Sequence, residues 1–63
     1  MQKEENFMND VEAAEFLNLS PQTLRNWRTQ SRGPAYSKAG RAIRYALDDL
    51  RAYMEKNRVN NDG

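Results

Sequence analysis

Apolar positions recur at helical spacing near both ends of this chain, with an alternating stretch between. Val11, Ala14 and Leu17 repeat every three residues, as on one face of a helix. Asn9 and Glu12 flank the start of that run at capping-box spacing, with Asn in place of Ser or Thr. Glu12 and Glu15 sit early, where the helix dipole favours negative charge. These residues predict a short helix that starts after Asn9 and stops at Asn18. A second helix is predicted from Pro21 to Gln30. Ser20 is a good N-cap, and Pro21 suits the first turn, where its missing N–H costs nothing. Leu24 and Trp27 mark its buried stripe, and Gly33-Pro34 is a strong stop. Asn18 and Leu19 join the two helices, which reads as a helix-turn-helix with Leu19 plugging the corner.

The period then changes. Ala35 to Ser37 and Ala42 to Tyr45 read as strands around a loop of Lys38, Ala39, Gly40 and Arg41. Gly40 supplies a positive φ for the turn. Tyr36, Ile43 and Tyr45 are expected on one side and Arg44 on the other. A last helix is predicted from Leu47 to Lys56, with Leu47, Leu50, Tyr53 and Met54 on one face and Asp48 and Asp49 in its first turn. The fold class is therefore mainly α with a small two-stranded β-hairpin, a winged helix-turn-helix in the order helix, helix, wing, helix. Residues 1–6 and 57–63 are polar and aperiodic, so mobile ends are expected around one domain at 7–56. Trp27, Tyr36, Tyr45 and Tyr53 fall in buried positions and are expected in the core, not as stacking platforms for single strands. Phe16 lies off the inward stripe and is expected to be half exposed, against the segment carrying Phe7.

Composition narrows the chemistry. The chain has 63 residues, no Cys and no His, so disulfides and the usual zinc ligand sets are ruled out and no metal or cofactor is expected. Catalysis is not expected either, because the commonest acid–base and nucleophilic groups are missing and so small a core barely encloses a pocket. No apolar run approaches a membrane span or a signal-peptide core, and a soluble, cytoplasmic protein is expected. The net charge of +1 conceals a segregation. Residues 1–15 set Lys3 against Glu4, Glu5, Asp10, Glu12 and Glu15, a balance of −4. Residues 16–47 carry Arg25, Arg28, Arg32, Lys38, Arg41 and Arg44 with no acid, a balance of +6. That is the footprint of a surface for a polyanion.

On the second helix, the face opposite Leu24 and Trp27 holds Gln22, Arg25, Asn26 and Thr29, flanked by Arg28 and Gln30. These residue types read base edges in a major groove: Arg bonds guanine in bidentate fashion, Asn and Gln bond adenine, and Thr meets the thymine methyl. Pro21, Gln22 and Thr23 lie at the helix N-terminus after the Ser20 cap, where free backbone N–H groups can hold a phosphate. Lys38, Arg41 and Arg44 are the expected wing contacts, to phosphate or the minor groove. The same cations also protect an edge strand from pairing with other chains.

The segments Asn9 to Ser20 (NDVEAAEFLNLS), Pro21 to Trp27, Gly33-Pro34-Ala35-Tyr36, Lys38 to Arg41, Ile43-Arg44-Tyr45 and Asp49 to Met54 occur in an order and spacing that resemble a known family. It is the excisionase and AlpA-type small winged helix-turn-helix proteins, related to the DNA-binding domain of MerR regulators. The resemblance covers nearly all of residues 7–56. It implies double-stranded DNA binding through Ser20 to Arg28, with wing contacts around Lys38 to Arg44. It further implies a phage or mobile-element protein that bends DNA beside recombination sites and assists an integrase, with cooperative self-association on DNA. The alternatives are a small transcription regulator using the same surface, and a protein-interaction module without DNA binding. The chain departs from MerR regulators in showing no long dimerisation helix after Met54, so effector sensing is not expected. With Ala at positions 39 and 42 the wing carries fewer cations than many members of that family would, and weak wing contacts are expected.

Overall fold

The computed structural model describes residues 6–59. Its elements are β1 (Phe7–Met8), α1 (Asp10–Leu17), α2 (Pro21–Thr29), β2 (Ser37–Ala39), β3 (Ala42–Ala46) and α3 (Leu47–Lys56). Most of the ends expected to be mobile, 1–5 and 60–63, lie outside the described residues.

Local chemistry sets the first two helices. Glu12 N–H donates to Asn9 Oδ1 at 2.8 Å, and Asn9 N–H donates to Glu12 Oε1 at 3.0 Å, which completes the capping box. Ser20 Oγ accepts from Thr23 N–H at 3.2 Å, with Pro21 in the first turn. Both helices end on a non-glycine residue in the left-handed region, Asn18 at φ 60° and Ser31 at φ 57°. After each, a backbone N–H reaches back over five residues: Leu19 to the Ala14 carbonyl and Arg32 to the Trp27 carbonyl, both at 2.8 Å. This is the Schellman arrangement, which satisfies carbonyls that a helix end leaves bare. The corner between the helices is thus closed by Leu19's backbone. Its side chain stays 37% exposed and does not fill the corner as expected.

The core is Ala13, Ala14, Leu24, Tyr45 and Leu50, with Met8, Leu17, Trp27 and Ile43 packed against it. The inward stripe of α1 therefore centres on Ala13, Ala14 and Leu17. Val11 is about 115° from that centre at 100° per residue and stays 51% exposed, which corrects its expected place in the stripe. Small alanines let α1 lie close against its neighbours. On α3, Leu50 is buried and Tyr53 half-buried, but Met54 is 51% exposed. Met54 lies on the expected face, beyond the elements that cover Leu50.

The sheet has three antiparallel strands in the order β1-β3-β2, one more than the predicted hairpin. Phe7 pairs with Ala46 and Met8 with Tyr45. The hairpin also has a tighter turn than expected. Ser37 pairs with Arg44, Lys38 with Ile43 and Ala39 with Ala42, leaving only Gly40 and Arg41 in the turn. Gly40 takes φ 62° in the first turn position, where a two-residue hairpin favours glycine. The first hairpin strand consequently starts at Ser37 instead of Ala35. Tyr36 precedes it and is 42% exposed, although its ring centroid lies 5.9 Å from that of buried Tyr45. β3 runs into α3 without a loop, and Ala46 caps α3 with no side-chain hydrogen bond.

Two substitutions after α2 should move stability in opposite directions. Ser31→Gly removes the Cβ cost of the left-handed region and should stabilise by about 0.5–1 kcal/mol. Gly33→Ala should destabilise by about 2 kcal/mol or more, since Gly33 has φ 93° and a new Cβ would lie 2.8 Å from Trp27 Cε3. Urea titrations of both variants check this pair.

Candidate nucleic-acid interface

The outer face of α2 exposes Gln22, Arg25, Asn26 and Thr29 together, as its period demands. Several of these side chains are already engaged. Gln22 Nε2 donates to Asn26 Oδ1 at 3.0 Å, so the two amides hold each other. Thr29 Oγ1 donates to the Arg25 carbonyl at 3.2 Å. Ser20 and Thr23 hydroxyls lie 3.0 Å apart within the cap. With Pro21 lacking an N–H and Thr23's taken by Ser20, the N–H of Gln22 is the one in that turn left for a phosphate.

Arg28 does not flank this face as the sequence implies. Its side chain is only 18% exposed and turns inward. Nη1 donates to the hydroxyl of Tyr45 at 3.0 Å, and the guanidinium lies 5.8 Å from the Tyr36 ring centroid. Nη2 is 3.7 Å from Asp10 Oδ2. The same oxygen accepts from Arg25 Nε at 3.0 Å, with Arg25 47% and Asp10 20% exposed. A chain of polar contacts thus runs from the core at Tyr45, through Arg28 and Asp10, to Arg25 on the surface.

Asp10 was invisible to local pattern because its partners lie 15 and 18 residues away on another helix. Its carboxyl is held below the ordinary aspartate value of 3.8, chiefly by the hydrogen bond from Arg25. Partial burial opposes this, while the charges of Arg25 and Arg28 reinforce it. Arg32, one of the cations of the acid-free stretch, is engaged as well. Its guanidinium lies 5.4 Å from the Trp27 ring centroid, a cation–π contact at the end of α2. Trp27 in turn meets Tyr53 of α3 at 5.8 Å.

The wing cations are exposed but do not share a face. Register places Lys38 with Ile43, on the side where Tyr45 enters the core. Arg44 lies on the opposite side with Ser37, its Nη1 donating to the Ile43 carbonyl at 2.9 Å. Arg41 is at the turn. Lys38 therefore belongs to the strand and not to the loop that was expected to hold it.

Two packed helices joined by a tight corner, a basic hairpin and a closing helix define a small winged helix-turn-helix domain. The chain belongs to the helix-turn-helix domain family, whose family model matches residues 7–58. That membership points to double-stranded DNA as the ligand, and domains of this family are typically non-enzymatic. No curated protein matches the chain. Among the described residues, no cluster of acids could hold a metal ion, and no helix is long and apolar enough to cross a membrane.

The pH dependence of stability should identify Asp10. A folded pKa below 3.8 means that the charged carboxylate stabilises fully above that value and stops doing so as pH falls through the folded pKa. Asp10→Asn should cost about 1 kcal/mol at neutral pH, and the gap to wild type should close as pH falls below 3.8 and on through the lowered folded pKa. Denaturant melts across that range provide the measurement.

Proposed function

We propose that the protein binds specific double-stranded DNA sequences as an excisionase-like recombination directionality factor. In this role it bends DNA and assists an integrase of a phage or mobile element. The observation that carries DNA reading is the joint exposure of Gln22, Arg25, Asn26 and Thr29 on α2 beside a basic hairpin. The recombination role rests on the sequence resemblance to excisionases. In this reading α2 lies in the major groove, with Arg25 on guanine and Asn26 or Gln22 on adenine once their mutual hydrogen bond opens. Ser20 and Thr23 hold the helix N-terminus that meets phosphate, Thr29 offers its methyl to thymine, and Arg28 braces the helix from behind. The wing enters tip first, with Arg41 leading and Lys38 and Arg44 on opposite faces. That arrangement suits a ribbon flanked by the two phosphate backbones of a minor groove.

Selection from a random duplex library at moderate salt should enrich a motif in closely spaced direct repeats. A gel-mobility assay with the site moved along the fragment should show a bend. An inverted repeat on straight DNA would favour a two-fold transcription regulator. Absence of any retained duplex at low salt would overturn DNA binding and leave a protein partner.

Single substitutions separate reading from anchoring. Arg25→Ala should cost about 1–3 kcal/mol on the selected site and relax preference at one base pair. Lys38→Ala, Arg41→Ala and Arg44→Ala should weaken selected and random DNA alike, each lowering the salt slope by about 1. Equal losses on both DNAs for Arg25→Ala would show that it anchors and does not read.

A further inference from the structure

The geometry points to Asp10 as a positioning residue that sets DNA specificity through Arg25 without reading a base itself. This inference rests on the proposal that Arg25 reads guanine. Three features of the contact support it.

The first is which atom is engaged. Asp10 accepts from Arg25 Nε, on the inner edge of the guanidinium. Among the described residues, neither terminal amino group of Arg25 has a hydrogen-bond partner. Those two groups are the pair that donates side by side to O6 and N7 of a guanine. Asp10 thus occupies the edge that a guanine contact does not need and leaves the edge that it does.

The second is that Asp10 is itself fixed. It is the first residue of α1, enclosed by the capping box of Asn9 and Glu12, and Arg28 approaches its Oδ2 from the core side. Arg28 is tied in turn to the hydroxyl of Tyr45, which is 1% exposed. The orientation of Arg25 is therefore referred to the core and not to solvent. A free arginine on a helix surface samples many rotamers and must be ordered when it binds. Holding one rotamer in advance favours the base that this rotamer fits.

The third is a conflict of sign. A carboxylate beside a DNA-reading arginine repels phosphate, so Asp10 lowers affinity for every duplex while sharpening choice at one base pair. A merely stabilising ion pair would repel phosphate as well, so the change of preference confined to one base pair is the signature that separates the two roles.

The test compares wild type, Asp10→Asn and Asp10→Glu, with Arg25→Ala as reference, on the selected site and on sites carrying each single base change. Circular dichroism first establishes the folded fraction of each variant. Asp10→Asn should lower the guanine preference at the Arg25 base pair about fivefold or more, and leave preferences at the other positions intact. Its affinity for random duplex should be unchanged or higher. Asp10→Glu, which keeps the charge but displaces it by one carbon, should also blunt the preference at that base pair. In the Arg25→Ala background, Asp10→Asn should have no further effect there. A uniform loss at all positions that follows the folded fraction would reduce Asp10 to a structural role and overturn the inference. So would a sharper guanine preference in Asp10→Asn, which would mean that Asp10 withholds Arg25 from DNA. An unaltered motif for Arg25→Ala would instead remove the base-reading assignment on which the inference stands.

Discussion

A chain of this length buries little, and what it buries converges on the side chain of Tyr45. Its backbone pairs β3 with β1 through Met8, its ring lies in the core with Leu24 and Leu50, and its hydroxyl receives Arg28 from α2. Sheet and α2 are therefore joined by one residue that is apolar along its body and polar at its tip. An aromatic of this kind suits a small core, since it supplies a large buried area and a directional bond together. With no Cys and no His in the sequence, neither a disulfide nor a zinc site substitutes for that packing.

The polar contacts extend the same logic outward. Asp10 is an acid folded against the acid-free stretch, and it takes two of its six cations. Lys38, Arg41 and Arg44 remain on the hairpin, and Arg32 lies over Trp27. The segregation seen along the sequence thus becomes a functional division in space. Arg28 and Arg32 brace the fold against aromatic side chains, while Arg25, engaged by Asp10 at Nε alone, and the hairpin cations stay exposed.

Much of the fold was legible because its signals are local. The caps at Asn9 and Ser20, the stop at Asn18, the turn at Gly40 and the extent of α3 each depend on a few neighbouring residues. What depends on distant neighbours was not legible. β1 is two residues long and exists through its pairing with β3, so no period in the sequence could announce it. Ala13 carries too little apolar surface to mark a stripe, yet it is fully buried, while bulkier Val11 is not. The start of the first hairpin strand was misplaced because Tyr36 looks like a strand residue, whereas the two-residue turn decides which residues pair. For the site, helical period alone grouped Gln22, Arg25, Asn26 and Thr29. It could not show that Arg28 turns inward or that Asp10 meets Arg25, because both depend on how α1, α2 and β3 pack.

The loopless passage from β3 to α3 has a mechanical consequence. Ala46 is both the last residue of the strand and the cap of the helix, so no slack separates them. Wing and closing helix are joined end to end, with no loop between them to absorb a displacement of the hairpin. Residues 30–36, where Gly33 rests against the Trp27 ring, connect this unit to the α1–α2 pair, and the β1–β3 pairing ties it to α1 a second time. Trp27 with Tyr53 and Arg28 with Tyr45 are the clasps across that joint. Any change in the spacing of helix and wing must therefore shift these two contacts, since the secondary structure on either side has no loop of its own to yield.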